Sequence, residues 1–261
     1  MFQWHIAVLL GIIEGITEFL PISSTGHLLL AERWLPRQTD LFNVVIQSGA
    51  VLAVIPLFRS RFQQFFFRWR EAATRDLLLK IIFAFLVTGV GGFLLDKKHF
   101  HLPEEVKPVA IALLVGGILF LVVEKWLRGK PLNHEVNWTI ALAVGLGQLL
   151  AAIFPGASRS GTTILVSLLL GLSRPAATEF SFLVGIPTML AAGTWKIIKA
   201  RHHPAAGAPE NWQMIFLASV VAAIVSFIVV KWLLRYVQSH TFSGFGWYRI
   251  ILGTALLLLI S

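Results

Sequence analysis

The 261-residue chain contains no cysteine. That excludes disulfides, thiolate nucleophiles, cysteine-ligated zinc and iron–sulfur clusters. Charge is scarce as well: charged residues make up 13% of the chain, where an ordinary soluble domain has about 25%. Such a chain cannot clothe itself in a polar surface and fold in water. The low charge, together with the lack of a glycine period or of heptads, also excludes a disordered, collagen-like or coiled-coil protein. Acids are the rarer sign, 13 Asp and Glu against 22 Lys and Arg, for a formal net charge of +9. A basic excess can mark a nucleic-acid binder. Here the basic residues fall between apolar runs, where the positive-inside rule puts them, so no nucleic-acid partner is expected. The first ten residues lack a basic segment and a small-residue cleavage site, and their apolar run soon meets Glu14. No cleaved signal peptide is expected.

What the chain has in abundance is apolar sequence. Residues of the set AVILMFWYC account for 56%, and the mean hydropathy is +0.77. A helix that crosses a bilayer needs about 20 mostly apolar residues. Runs near 41–58, 77–95, 106–126, 178–197, 213–234 and 246–260 are long enough. Two other regions are not. Segments 4–19 and 24–35 flank Pro21, and segments 138–154 and 160–172 flank Pro155. Proline followed by small residues interrupts a helix, so each pair reads as a re-entrant hairpin. All nine tryptophans fall at segment ends or in a loop, as expected for rings that prefer the membrane–water interface.

The two halves are similar. Gly11, Glu14, Pro21 and Ser24 align with Gly145, Gln148, Pro155 and Ser158 at a constant offset of 134, and Phe42 aligns with Phe180 at 138. Each half is one broken hairpin followed by three spans. Three is odd, so the second half enters the membrane from the opposite side. The expected fold is all-α and polytopic: an inverted-topology repeat of six transmembrane helices plus two re-entrant helix hairpins. It forms one integral membrane domain, 1–261, with repeats at approximately 1–130 and 135–261. Sites in such folds lie at the midplane, where half-helix ends meet. Eleven basic residues, among them Arg59, Arg61, Arg68, Arg70, Lys125 and Lys231, fall on one side. Eight, among them Arg33, Arg37, Lys98 and Lys196, fall on the other. The first side is expected in the cytoplasm, with both termini outside. Phe62–Arg70 reads as an interfacial amphipathic helix.

Glu14 and Glu18 lie four apart, on one face of a helix, inside an apolar run where a charge costs at least about 2.5–3.5 kcal/mol. Such acids mark a functional site: they can hold a divalent cation, or one can act as a general base. The next break reads Pro21-Ile-Ser23-Ser24-Thr25-Gly26-His27. Capping explains one hydroxyl, but not three in a row followed by glycine and histidine. A helix N-terminus attracts phosphate. Ser24 and His27, three apart, suit a nucleophile and its base, or His27 is itself the nucleophile. The matching break carries Arg159 among Ser158, Ser160, Thr162 and Thr163. Arginine binds phosphate bidentately. Facing tips of this kind describe a phosphate-handling site inside a membrane, open to a substrate with a lipid tail.

The motifs Glu14-Gly-Ile-Thr-Glu18-Phe-Leu-Pro-Ile-Ser-Ser-Thr-Gly-His27 and Pro155-Gly-Ala-Ser-Arg-Ser-Gly-Thr-Thr163 resemble the two signatures of the BacA-type undecaprenyl-pyrophosphate phosphatases. The likeness runs through nearly the whole chain, including Ser173-Arg-Pro-Ala-Ala-Thr-Glu-Phe-Ser-Phe182. The resemblance implies a bacterial inner-membrane enzyme with its active site open to the periplasm. It would hydrolyse undecaprenyl diphosphate to undecaprenyl phosphate and inorganic phosphate. That recycles the lipid carrier for peptidoglycan synthesis and confers bacitracin resistance. It also implies a divalent cation, Ca²⁺ or Mg²⁺. Carried over by position, Glu14 and Glu18 serve metal binding, and Glu18 also serves acid–base chemistry. Ser24 is the nucleophile with His27 assisting, or His27 is the nucleophile. Arg159 grips the diphosphate, with Ser23, Thr25, Gly26, Ser158, Ser160 and Thr163 around it. The expected partners are a prenyl diphosphate and membrane lipids, and a homodimer is compatible with so much apolar surface.

Two other classes compete. A prenyl-phosphate transporter or flippase could use the same midplane site, since inverted repeats with broken helices are common in transporters. A structural scaffold has no use for the set of acids, hydroxyls and arginine. Other features read as ordinary. Glu124 and Arg128 look like a surface pair. His99, His101, His202 and His203 look like polar loop residues. Arg174 and Glu179 look like loop anchors, or like residues that shape the site.

Overall fold

The computed structural model describes residues 4–97, 105–202 and 211–259. Among them every regular element is a helix, apart from one isolated bridge between Asn133 and Leu172. In chain order these are α1 (Trp4–Thr17), α2 (Ser24–Ala31), α3 (Asp40–Val54), a 3₁₀ turn (Ile55–Phe58) and α4 (Arg59–Phe67). Then come α5 (Ala72–Lys97), α6 (Val106–Trp126), α7 (Trp138–Ile153), α8 (Arg159–Leu169), α9 (Arg174–His202), α10 (Trp212–Tyr236) and α11 (Ser243–Leu258). Hydrocarbon offers the backbone no partner, so a spanning segment must satisfy its own N–H and C=O groups, as a helix does. Polar residues set several starts. Thr39, Asn137 and Asn211 cap α3, α7 and α10 by accepting from the N–H of Phe42, Ile140 and Met214.

Five helical stretches are long and apolar enough to cross a bilayer: Asp40–Phe67, Ala72–Leu95, Val106–Trp126, Arg174–Ala200 and Trp212–Tyr236. The protein is therefore an all-α, multi-pass membrane protein. The run near 246–260, expected to be a sixth full span, forms a helix of 16 residues. At 1.5 Å per residue it is about 24 Å long, short of a hydrocarbon core of about 30 Å. Both proline breaks appear where expected, between α1 and α2 and between α7 and α8. The nine tryptophans are all exposed, from 48% to 74%, so their rings are free to meet lipid and headgroups. His99, His101, His203 and Lys98 lie outside the described residues. His202 ends α9 and is exposed.

The helices pack in pairs. α1 lies against α10, α7 against α5, and α6 against α11, while α3 packs on both α9 and α10. Small residues let the backbones approach, as is usual where apolar packing cannot be driven by water. A Cβ on Gly117 would sit 2.6 Å from the Gly246 carbonyl oxygen, and one on Gly246 would sit 2.9 Å from that of Gly117. Ser226 of α10 donates to the Gly15 carbonyl of α1, and Thr88 of α5 donates to the Gly145 carbonyl of α7.

Glu124 departs from the surface pair expected with Arg128. It is 2% exposed and turned inward. Its carboxylate accepts from Nε and Nη2 of Arg174 and from the backbone N–H of Phe242. One carboxylate thus joins the end of α6, the start of α9 and the turn into α11. A planar guanidinium and a fixed N–H are better partners than a solvated arginine one turn away. Arg174 is therefore an anchor, and Glu179 is paired with Arg61. Glu124→Ala should lower the thermal midpoint in detergent, at a cost of about 2–3 kcal/mol, since it leaves a partly buried guanidinium and the buried N–H of Phe242 without their acceptor. Arg128→Ala should stay within about 0.5 kcal/mol of wild type. Thermal unfolding of the two variants side by side checks this.

Candidate active site

The first break runs from Glu18 to Ser23. Pro21 has no N–H to continue the helix, and Ser23 takes φ 72°. Its hydroxyl oxygen then accepts from the Gly26 N–H at 3.3 Å, which starts α2 at Ser24. The second break repeats this device. Pro155 is followed by Gly156 at φ 91°, and Ser158 takes φ 67°. The Ser158 hydroxyl accepts from the Gly161 N–H at 3.2 Å, which starts α8 at Arg159.

Between the two tips lies a cavity of about 350 Å³. Glu18, Ser23, Ser24 and Thr25 line it from one tip, and Gly156, Ser158 and Arg159 from the other. Glu18 bridges them. One carboxylate oxygen accepts the Ser24 hydroxyl at 2.8 Å, and the other accepts Nη2 of Arg159 at 3.3 Å. Glu18 and Ser24 are each 8% exposed, so the pair is held where water competes little. Arg159 keeps two buried donors, Nε and Nη1, with no partner. It lies close against α9: a Cβ on Gly185 would fall 2.0 Å from Nη1. A buried guanidinium with two unspent N–H groups above a cavity is built for an anion.

Five expected site residues do not line this cavity. Ser160 is fully buried and donates to the carbonyls of Leu20 and Glu18, tying one tip to the other. Thr163 is bonded to the carbonyls of Arg159 and Ser160 and to Ser181, inside the packing of α8 on α9. The N–H of Gly26 is spent on Ser23. His27 makes a bond at each ring nitrogen, Nδ1 to the Ser23 carbonyl and Nε2 to the Tyr248 hydroxyl, both at 2.7 Å. The group that meets the Ser24 hydroxyl is Glu18, not His27. Glu14 is fully buried and does not line the cavity. Glu18 and Gln47 are near enough to interact with it, yet neither of its oxygens has a hydrogen bond. Nearness along a helix put these five with the others in the sequence; the direction of each side chain, or for Gly26 of its N–H, separates them.

Other site residues come from distant segments. Gln47, Thr88, Gln148 and Thr188 line the cavity from α3, α5, α7 and α9. Gln148 donates to the hydroxyl oxygens of Thr88 and Thr188. Its position opposite Glu14 in the repeat was the available signal.

Sequence reasoning also missed Arg249 on α11. It is 0% exposed. Nη1 donates to the Pro21 carbonyl at 3.1 Å, and Nη2 to the carbonyls of Gly156, Ala157 and Ala112 at 3.3, 3.1 and 3.2 Å. Nε reaches the Leu113 carbonyl at 3.4 Å. One side chain therefore satisfies orphan carbonyls of both tips and ties them to α6. Gly116 leaves the room, since a Cβ there would lie 2.2 Å from Nη2. The rule that singled out Glu14 and Glu18, a charge inside an apolar run, reaches Arg249 less directly, because it stands only four residues into the run 246–260.

These features define a class: a polytopic membrane protein with a polar cavity, bearing an arginine, a glutamate and serines, between two interrupted helices. Residues 7–255 match the family model described as "Bacitracin resistance protein BacA". The chain is 50% identical over 253 residues to a protein of Rhizobium etli named undecaprenyl-diphosphatase, covering 96% of this chain and 95% of that one. It is 51% identical over 254 residues to one of that name from Rhizobium leguminosarum bv. trifolii, covering 96% and 95%. It is 51% identical over 253 residues to another from Xanthomonas euvesicatoria pv. vesicatoria, covering 97% and 95%. The protein belongs to the BacA family.

Removing the Arg249 side chain leaves buried carbonyls unpaired, at about 1–3 kcal/mol each. Arg249→Leu and Gly116→Val should each lower the thermal midpoint in detergent by several degrees and abolish turnover. Arg249→Lys, which lacks the fork, should fall between wild type and Arg249→Leu. Thermal unfolding and activity measured on the same preparations check this ordering.

Proposed function

We propose that this protein is an undecaprenyl-diphosphatase: it hydrolyses undecaprenyl diphosphate to undecaprenyl phosphate and inorganic phosphate. The observation that carries the reading is the chain Ser24–Glu18–Arg159 across the cavity, with two guanidinium donors unspent. The names of the relatives at about half identity agree with it.

The terminal phosphate of the substrate sits against the free N–H groups of Arg159, whose charge Glu18 balances until the anion arrives. Glu18 takes the proton of the Ser24 hydroxyl as the Ser24 oxygen bonds to the terminal phosphorus. The phosphoanhydride bond breaks, undecaprenyl phosphate leaves as its anion, and Glu18 gives its proton to solvent. Water then attacks the phosphoserine, Glu18 takes the water's proton and passes it to the departing Ser24 oxygen, and inorganic phosphate is released with Ser24 regenerated. Negative charge builds on the phosphoryl oxygens in both steps, so the fixed positive charge of Arg159 stabilises them more than the ground state.

A divalent cation, Ca²⁺ or Mg²⁺, belongs to the same reading. Such hard cations take oxygen ligands, and the two buried carboxylate oxygens of Glu14 are without partners. Among the described residues no group of three acidic or histidine side chains is gathered. Glu14 and Glu18 would therefore hold the ion, with water and the diphosphate completing its shell as is usual for Mg²⁺. When bound, the cation neutralises charge on the phosphate oxygens.

The fold we infer is an inverted-topology repeat with two re-entrant hairpins. The matching serine caps support it and align Ser23 with Ser158, one residue from the sequence alignment. So do the matching contacts of Gly11 with Ala218 and Val221 and of Gly145 with Ala84 and Val87, related at every position by the offset of 134, and the reciprocal contact of Gly117 with Gly246. A second polar cavity shares Thr25, Val44 and Gln47 with the first and reaches Glu32, Arg37, Asp40 and Lys196. That is the side with fewer basic residues, which supports a site open to the periplasm of an inner-membrane enzyme.

Purified protein in detergent should release phosphate from farnesyl diphosphate, and EDTA should abolish the release. Ser24→Ala, Glu18→Gln and Arg159→Ala should each lose at least about 10³-fold in kcat/KM, the scale set by removing a nucleophile, a base or a charge-stabilising donor. Each should elute as folded protein. Ser24→Ala turning over like wild type would remove Ser24 as nucleophile. Transport of prenyl phosphate across liposomes by a protein that releases no phosphate would favour the transporter.

A further inference from the structure

The histidine of the first tip has a counterpart in the second that is not a histidine. Ser23 and Ser158 are the two non-glycine residues with positive φ among the described residues. A left-handed conformation is costly for a residue with a Cβ and persists only where neighbours hold it. Each serine is held in two ways. Its hydroxyl caps the next helix, and its carbonyl accepts a second bond from the side chain four residues on. At the first tip that donor is His27 Nδ1, at 2.7 Å. At the second it is the hydroxyl of Thr162, at 2.9 Å. A threonine hydroxyl is no base at neutral pH, so at the second tip the bond has only geometry to serve.

The chemistry at the first tip points the same way. A carbonyl oxygen can only accept, so Nδ1 carries the proton. The remaining lone pair of the neutral ring is on Nε2, and there the Tyr248 hydroxyl donates at 2.7 Å, with the two rings parallel to within 4°. Neither nitrogen is left for Ser24, whose hydroxyl already bonds to Glu18. His27 is also absent from the cavity lining.

We propose that His27 is a positioning residue, clamping the backbone of Ser23 and thereby aiming Ser24, and that Tyr248 is a second positioning residue that locks the ring of His27 in the Nδ1–H tautomer. Tyr248 directly precedes Arg249, so α11 brings two adjacent anchors to the tip, one acting on the Pro21 carbonyl and one, through His27, on that of Ser23. The proposal rests on the reading of this site as a phosphatase with Ser24 as the attacking group.

The test replaces His27 by the residue that does its work at the other tip. Phosphate release from farnesyl diphosphate is followed from about pH 5.5 to about pH 8.5, the window in which a histidine titrates. His27→Ala should lose about 10–100-fold in kcat, as a strained backbone relaxes. His27→Thr should recover to within about 10-fold of wild type, with the shape of its pH profile unchanged. Tyr248→Phe should slow wild type several-fold and add nothing to His27→Thr. In protein labelled with ¹⁵N at histidine, the wild-type resonances of His27 should report the Nδ1–H tautomer, a reading that needs no variant to fold. A base or nucleophile contributes about 10²–10⁴-fold, and threonine cannot replace it. The proposal is overturned by His27→Ala matching wild type, by His27→Thr falling with His27→Ala, by a pH limb lost with the imidazole, or by an Nε2–H tautomer. Wild-type protein that releases no phosphate at all would instead remove the phosphatase reading, leaving the tautomer measurement to decide the clamp.

Discussion

An interrupted helix inside hydrocarbon leaves carbonyls with nothing to accept from, and this structure depends on how that debt is met. Arg249 meets it for both tips at once. A lysine has no fork, and a neutral donor has too few hydrogens, whereas the five N–H groups of a guanidinium can be shared among several backbone oxygens. Burying the guanidinium is unfavourable unless it is fully bonded, so the same side chain that permits the breaks also forces the two tips together. The cavity exists because those breaks are tolerated.

Given that frame, the two tips use one backbone for two chemistries. Each turns at a proline, strains a serine into positive φ and starts a short helix from that serine's hydroxyl. What differs is the side chains displayed. One tip presents Glu18 and Ser24, the other Arg159 and Ser158. Glu18 spans the gap, so acid, hydroxyl and guanidinium form a charge-balanced row before any substrate is present. Balance matters in an apolar surround, where an isolated charge would be expelled or neutralised. On the proposed reading, a diphosphate entering the row would exchange one anionic partner of Arg159 for another, which limits the cost of binding.

Chain order conveyed a good deal of this. The low charge and long apolar runs required a helical membrane protein, because no other open structure satisfies its backbone in lipid. Pro21 and Pro155 located the breaks, and Glu18, Ser24 and Arg159 stood out as polar groups where polarity is expensive. The residues that the structure turns away from the cavity are turned by a common cause. Ser160, Thr163 and His27 stand beside cavity residues in sequence, but a helix turns successive side chains by about 100°, and these face backbone or neighbouring helices. Glu124 was read with Arg128 because they are one turn apart, whereas its partners come from α9 and the α10–α11 turn.

Composition and local spacing by themselves determined the solvent of this protein, the segments that cross or break within it, and the kinds of group its site would offer, because the cost of putting polar atoms in lipid is paid residue by residue. Tertiary structure alone decided which of those groups meet. That Glu18 reaches Arg159 across 141 positions, that Arg249 holds both tips, and that His27 turns to Tyr248 rather than to Ser24 all follow from helix packing. The directions of side chains around a shared cavity are set by neighbours that no stretch of local sequence contains.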